Sequence, residues 1–153
     1  MKYLLVHDEN EVAFVFAQLK WAWFLRNWDG PAEHERPPAY IIMVLDKRLN
    51  DRADFDAGIA AQTMLLGASA LGLGGCIVRT INRYELGKFY QLPEYIEIVL
   101  VIAIGKPAQQ VVLDATDQKG NMEYWTDEKG VHHVPKRSFD ELIYKPTSNN
   151  DQD

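Results

Sequence analysis

Two rhythms of apolar and polar positions run along this chain, one of strand type and one of helix type. Tyr3 to Val6 is a compact apolar run flanked by charge, which predicts a strand beginning almost at the first residue. From Glu11 to about Leu25 the apolar residues Val12, Val15, Phe16, Leu19 and Trp23 recur at three- and four-residue steps. That spacing predicts an amphipathic helix, with Asn10 placed to cap its start. Residues 27–38 mix turn formers and charge without periodicity, and Pro38 disfavours helix at Pro37, so an irregular loop is expected there. Tyr40 to Leu45 is a continuous apolar run ended by Asp46-Lys47-Arg48, a second strand.

Residues 56–71 carry almost only apolar or small side chains, with Asp54 or Asp56 able to cap the start and Gly72 placed to stop the helix in a left-handed turn. Such a helix is expected to be buried nearly all round, either central in the core or across a subunit interface. Cys76 to Val78 predicts a short strand. Tyr84 to Tyr90 predicts a short helix entered through Asn82, and Tyr95 to Ile104 is the strongest strand pattern in the chain. Tyr124–Thr126 and Val131–Val134 flank the turn-forming Asp127-Glu128-Lys129-Gly130, a hairpin pattern. Ser138 to Tyr144 forms a last short element. Residues 1–146 are read as a single domain and 147–153 as a polar tail.

Composition narrows the class. With 153 residues, 47% hydrophobic and 25% charged, the chain fits one globular domain rather than a disordered or disulfide-stapled one. A net charge of −6 repels polyanions, which argues against a nucleic-acid partner. The longest apolar stretch, Ile98 to Ile104, is far short of the ~20 residues that cross a bilayer, and nothing at the start reads as a signal peptide. No membrane association is expected. The single cysteine, Cys76, has no partner for a disulfide, which fits a reducing, cytoplasmic setting.

Candidate chemistry is sparse. Gly72-Leu73-Gly74-Gly75 stands between a helix and a strand, the reverse of a dinucleotide-binding loop, and reads as a helix stop and tight turn. His132 and His133 are neighbours on a strand, so their side chains leave opposite faces and cannot share one metal; no metal site is expected. No serine sits in a nucleophile context, and no catalytic side chain is expected. Lys136-Arg137 concentrates two cations in an acidic chain, either as solvated charge or as a grip for a doubly charged terminal phosphate. Among Trp21, Trp23, Phe24 and Trp28, a core role is expected, with Trp28 the most exposed.

Three blocks in register, Asp56-Ala57-Gly58-Ile59-Ala60-Ala61-Gln62, then residues 70–77 (Ala-Leu-Gly-Leu-Gly-Gly-Cys-Ile), then Ile102-Ala103-Ile104-Gly105-Lys106-Pro107, resemble the FMN-dependent nitroreductase family. Residues 134–141 are similar to that family's C-terminal segment. The resemblance implies an α+β fold with a central mixed sheet flanked by helices, and an intertwined homodimer binding FMN at its interface. It also implies hydride transfer from NAD(P)H to a small-molecule acceptor, a nitroaromatic, a quinone or a related compound, by a ping-pong cycle. Helix 56–71 is then the dimer's central helix. Val78, Arg79 and Thr80 are expected beside the isoalloxazine, with the Thr80 backbone N–H near flavin N5, and Lys136 and Arg137 match the cations that hold the FMN phosphate. Arg79 stands where other members often carry Gly or Glu.

The front departs from the family pattern. The usual N-terminal helices, an Arg-x-Ser-x-Arg phosphate motif and an Asn-x-Gln-Pro stretch have no counterpart ahead of Tyr3, so roughly the first quarter of a usual member is expected to be missing. That leaves a second possibility, a truncated, non-catalytic dimer scaffold that binds another ligand or a protein.

Overall fold

The computed structural model describes residues 1–25, 27–117, 119–144 and 146. The polar tail expected over 147–153 lies outside the described residues. The chain divides into two compact units: a larger one, Met1–Trp23 with Trp28–Ala108, and a smaller one from the described residues of Phe24–Asn27 and Gln109–Asp153.

The larger unit is a four-stranded sheet with helices on both faces. Strands β1 (Lys2–Val6), β2 (Ala39–Asp46), β3 (Gly74–Val78) and β4 (Ile96–Gly105) lie in the order β1-β2-β4-β3. β2 and β4 are central and covered on both faces, which is why they read as unbroken apolar runs rather than as alternating ones. Alternation then sorts their side chains. Tyr40, Ile42, Val101 and Ala103 face α1 (Glu9–Ala17) and α3 (Arg83–Phe89), packing with Val15, Leu19 and Leu86. Met43, Leu100 and Ile102 face α2 (Asp54–Ala70), where Ala57 and Ala61 allow a close approach. The edge strands are less covered: Leu5 on β1 is 68% exposed.

The smaller unit is a three-stranded sheet in the order β5-β7-β6, from β5 (Val111–Ala115), β6 (Trp125–Thr126) and β7 (His132–Lys136), followed by the one-turn α4 (Phe139–Leu142). The expected hairpin is β6–β7. Asp127 Oδ1 accepts from the amides of Lys129 (2.9 Å) and Val131 (2.8 Å), and Gly130 takes a left-handed φ of 80°, so the Asp-x-x-Gly tetrapeptide makes its own turn. β5 carries no periodic signal in the sequence; it pairs in parallel with β7. Every pairing of the central sheet is antiparallel, so the mixture of strand directions expected there occurs in the smaller sheet.

Two helix expectations change. The helix expected over residues 11–25 starts two residues earlier, capped by Asp8 rather than Asn10, and stops at Ala17. Beyond it the backbone of 18–20 pairs with 80–82: Leu19 bridges Ile81, and Asn82 N donates to Gln18 O at 2.9 Å. This pairing outweighs the helical spacing, and Trp23 is left 79% exposed, more so than Trp28 at 41%. Helix α2 is not buried all round, because only Ala57, Ala61 and Ala68 are covered within the chain while Phe55, Ile59 and Leu66 point outward. Of the two expectations for it, central in the core or across an interface, the first fails.

Candidate functional site

The larger unit positions Val78, Arg79 and Thr80 through the end of β3. Val78 pairs with Val101 and buries its side chain in the core, so it anchors the strand end rather than presenting a side chain outward. Arg79 and Thr80 then leave the sheet, both exposed. Their path is held from two sides. Lys20 N donates to Thr80 O at 3.0 Å, and Arg83, the first residue of α3, spans back to β4, with Nε donating to Ile98 O at 2.8 Å and Nη2 to Val99 O at 3.1 Å. Arg83 Nη2 also reaches Arg79 O at 3.4 Å. Sequence patterns gave no warning of Arg83, because a lone arginine on a short helix says nothing about backbone carbonyls fifteen residues away.

A cavity of about 320 Å³ opens between residues 17–20 and 80–82. Among the described residues the Thr80 N–H has no protein acceptor, which leaves a backbone donor available at this cavity. Another cavity of about 290 Å³, between α3 and the start of β4, includes Arg83 but none of the residues expected at the site.

The smaller unit carries Lys136 and Arg137. Lys136 ends β7, opposite Ala115 of β5, and its carbonyl accepts from Thr116 N at 3.3 Å. Arg137 lies between that strand and α4, whose N-terminus is closed by a capping box: Ser138 Oγ accepts from Glu141 N, while Glu141 Oε2 accepts from Ser138 N at 2.7 Å. The hydrogen bonds from Ser138 hold the Glu141 carboxyl below its usual range, with the nearby Arg137 charge adding to the effect. Among the described residues neither Lys136 nor Arg137 closes an ion pair, and both side chains are exposed. Two adjacent exposed cations that close no ion pair among the described residues suit a dianionic phosphate in charge and donor count.

Taken unit by unit, these features fit parts of FMN in kind: in the larger unit a backbone N–H without a protein acceptor among the described residues beside a cavity, and in the smaller unit a cation pair of the charge a phosphate needs. The residues 132–133 fulfil the expectation that their side chains diverge. His132 Nδ1 lies 3.3 Å from Thr126 Oγ1, whereas His133 stacks on Trp125 with ring centroids 4.1 Å apart.

Solved structures share the fold. The chain is similar to an FMN-dependent nitroreductase from Clostridium difficile, with 23% identity, a TM-score of 0.56, and 71% of this chain and 64% of that one covered. It is similar also to a nitroreductase family protein from Clostridium novyi, with 18% identity, a TM-score of 0.56 and coverage of 92% and 73%. A nitroreductase family protein from Streptococcus pneumoniae gives 13% identity, a TM-score of 0.61 and coverage of 95% and 78%. Against three such structures the chain spans between 50% and 64% of the neighbour's length. The family model for nitroreductases matches residues 11–106, from within α1 to just past the end of β4, and the chain therefore belongs to the nitroreductase family.

Proposed function

We propose that this chain forms an FMN-dependent oxidoreductase that passes hydride from NAD(P)H to a nitroaromatic, a quinone or a similar small acceptor by a ping-pong cycle, working as a homodimer in the cytoplasm. What carries the reading is the family membership over residues 11–106, the stretch that contains Val78, Arg79 and Thr80. The flavin, when bound, supplies the hydride chemistry, and the protein supplies position and electrostatics. On this reading the Thr80 N–H hydrogen-bonds the flavin ring. Lys136 and Arg137 bind its phosphate, and Arg83 keeps the 79–80 backbone in place. The absence of a nucleophile or a general-base constellation in the sequence is consistent with chemistry of that kind. The free Cys76 is consistent with a reducing compartment.

The test is a visible absorbance spectrum of the purified protein, followed by FMN titration read by flavin fluorescence. Bound yellow flavin, and NAD(P)H oxidation in the presence of a quinone, are the expected results. A colourless protein that binds no added FMN would reject the reading in favour of the scaffold that binds another ligand or a protein. If FMN binds, Lys136→Gln and Arg137→Gln should each weaken it by about tenfold or more, the size of a charge-assisted contact. Unchanged affinity would remove those two residues from the site.

A further inference from the structure

Three residues ahead of the Lys136–Arg137 pair, His133 is held by groups from both neighbouring strands. Nδ1 lies 2.7 Å from Asp114 Oδ2 on β5, and because a carboxylate only accepts, the ring donates here. Its plane stacks on Trp125 of β6 at an interplanar angle of 6°. Nε2, buried and without a hydrogen-bond partner, faces Asp127 Oδ2 in the β6–β7 turn at 3.6 Å. Asp127 is itself fixed by the amides of Lys129 and Val131. One imidazole thus touches β5, β6 and the turn at once, and the ring is only 18% exposed. The smaller sheet has little else at this level: β6 is two residues long, and β5 and β7 have five each. A sheet so short needs side-chain ties to fix its register.

We propose that His133 is a positioning residue for the phosphate grip: by tying β7 to β5 through Asp114 and to β6 through Trp125, it fixes where Lys136 and Arg137 are presented. This rests on the functional reading above, which assigns those two cations to the FMN phosphate. Neither His133 nor Asp114 touches the ligand; they act through the strand. The Thr116 N–H on the Lys136 carbonyl continues the same β5–β7 tie up to the grip itself.

Riboflavin carries the same ring system as FMN without the phosphate, so comparing the two isolates the grip. His133→Phe keeps a ring to stack on Trp125 and removes both nitrogens. His133→Asn keeps an amide donor close to the Nδ1 position. With flavin fluorescence as the readout, His133→Phe should bind FMN about tenfold more weakly and riboflavin as the natural protein does. His133→Asn should recover most of the FMN affinity. In a Lys136→Gln/Arg137→Gln background, the further change to His133→Phe should have no effect on FMN binding. Asp114→Ala, which leaves the histidine in place, is expected to reproduce the FMN-selective loss, and it guards against a His133→Phe chain that fails to fold. Equal FMN affinity in natural and His133→Phe protein would overturn the proposal, as would an equal loss for FMN and riboflavin. Natural protein that binds no FMN at all would overturn the functional reading and this proposal with it, so the two failures are told apart by the first titration.

Discussion

Asp46, the last residue of β2, is a charged side chain inside the larger unit, 3% exposed, and everything around it serves its carboxylate. Arg48 donates to both oxygens, from Nε to Oδ1 at 2.9 Å and from Nη2 to Oδ2 at 2.8 Å, and Lys2 Nζ donates to Oδ2 at 2.9 Å. The Arg48 guanidinium in turn lies over the Tyr95 ring, 3.6 Å from its centroid. The hydrogen bonds from Arg48, then that from Lys2, hold the Asp46 carboxyl far below the usual carboxylate range. A group depressed on folding contributes stability that is present above its unfolded value, about 3.9, and is lost as pH falls toward the folded one. Urea unfolding followed from pH 6 down to pH 2 should therefore show a steep loss of stability below about pH 4, and Asp46→Asn should flatten that loss while lowering stability at pH 7. A natural protein and an Asp46→Asn variant with parallel pH profiles would show that the cluster is not coupled to folding. The sequence marked Asp46-Lys47-Arg48 only as the polar end of a strand. The pairing partner Lys2 is 44 residues away, brought there by the β1–β2 register that sets Lys2 opposite Val44.

Among the elements, the turn from α2 into β3 shows which features a sequence can carry. Gly72 has a φ of 74° and ends the helix with Leu73 N donating to Ala68 O at 2.9 Å, a local hydrogen-bond pattern that needs only residues close in the chain. Its role was therefore legible. Gly75 is different: a Cβ there would stand 2.5 Å from the Ala103 carbonyl oxygen and 2.8 Å from Leu65 Cδ2. Only the packing of β3 between α2 and β4 reveals that constraint. Gly75→Ala should lower the unfolding free energy by about 1–3 kcal/mol, because a backbone carbonyl cannot turn aside as a side chain can. Chemical denaturation would measure it, and a change below about 0.5 kcal/mol would mean that β3 shifts freely on its edge. The same division explains the other elements. β2 and β4 were legible from apolar runs and α3 from its Asn82 cap, which accepts from Glu85 N, whereas β5, with exposed Val111 and Leu113 alternating with half-buried neighbours, exists through its pairing with β7. The end of α1 at Ala17 depends on hydrogen bonds to residues 80–82, so no local pattern could place it. Of the residues proposed to hold the cofactor, the cation pair and the strand end at Val78 are visible in the sequence as residues, but the Arg83 tie in the larger unit and the His133 tie in the smaller one are not, since each joins groups distant in sequence.

At the scale of the whole molecule, α2 is the element that one chain leaves unfinished. From Ala57 to Ala70 it contains no charged residue, yet Ile59 is 67% and Leu66 61% exposed, and Phe55 at its start is 89% exposed. A helix that ends in water normally carries charge on its outer face, and contiguous apolar exposure of this kind marks an interaction surface. The proposed homodimer gives that face an occupant, a second α2, whose Gly and Ala residues let two backbones approach. Because Ile59 and Leu66 contribute little to the core of their own chain, Ile59→Glu with Leu66→Glu should leave the far-ultraviolet circular dichroism unchanged. Sedimentation velocity should then show the natural protein as a dimer and the double variant as a monomer, since burying two carboxylates against a like surface is strongly unfavourable. If FMN lies at the interface, as the family resemblance implies, its affinity should fall together with the dimer. Three outcomes separate the possibilities. A natural protein that sediments as a monomer removes the homodimer; a double variant that stays dimeric moves the interface away from α2; and a monomeric variant that still binds FMN at full affinity detaches the cofactor site from the interface and leaves it to the residues of one chain.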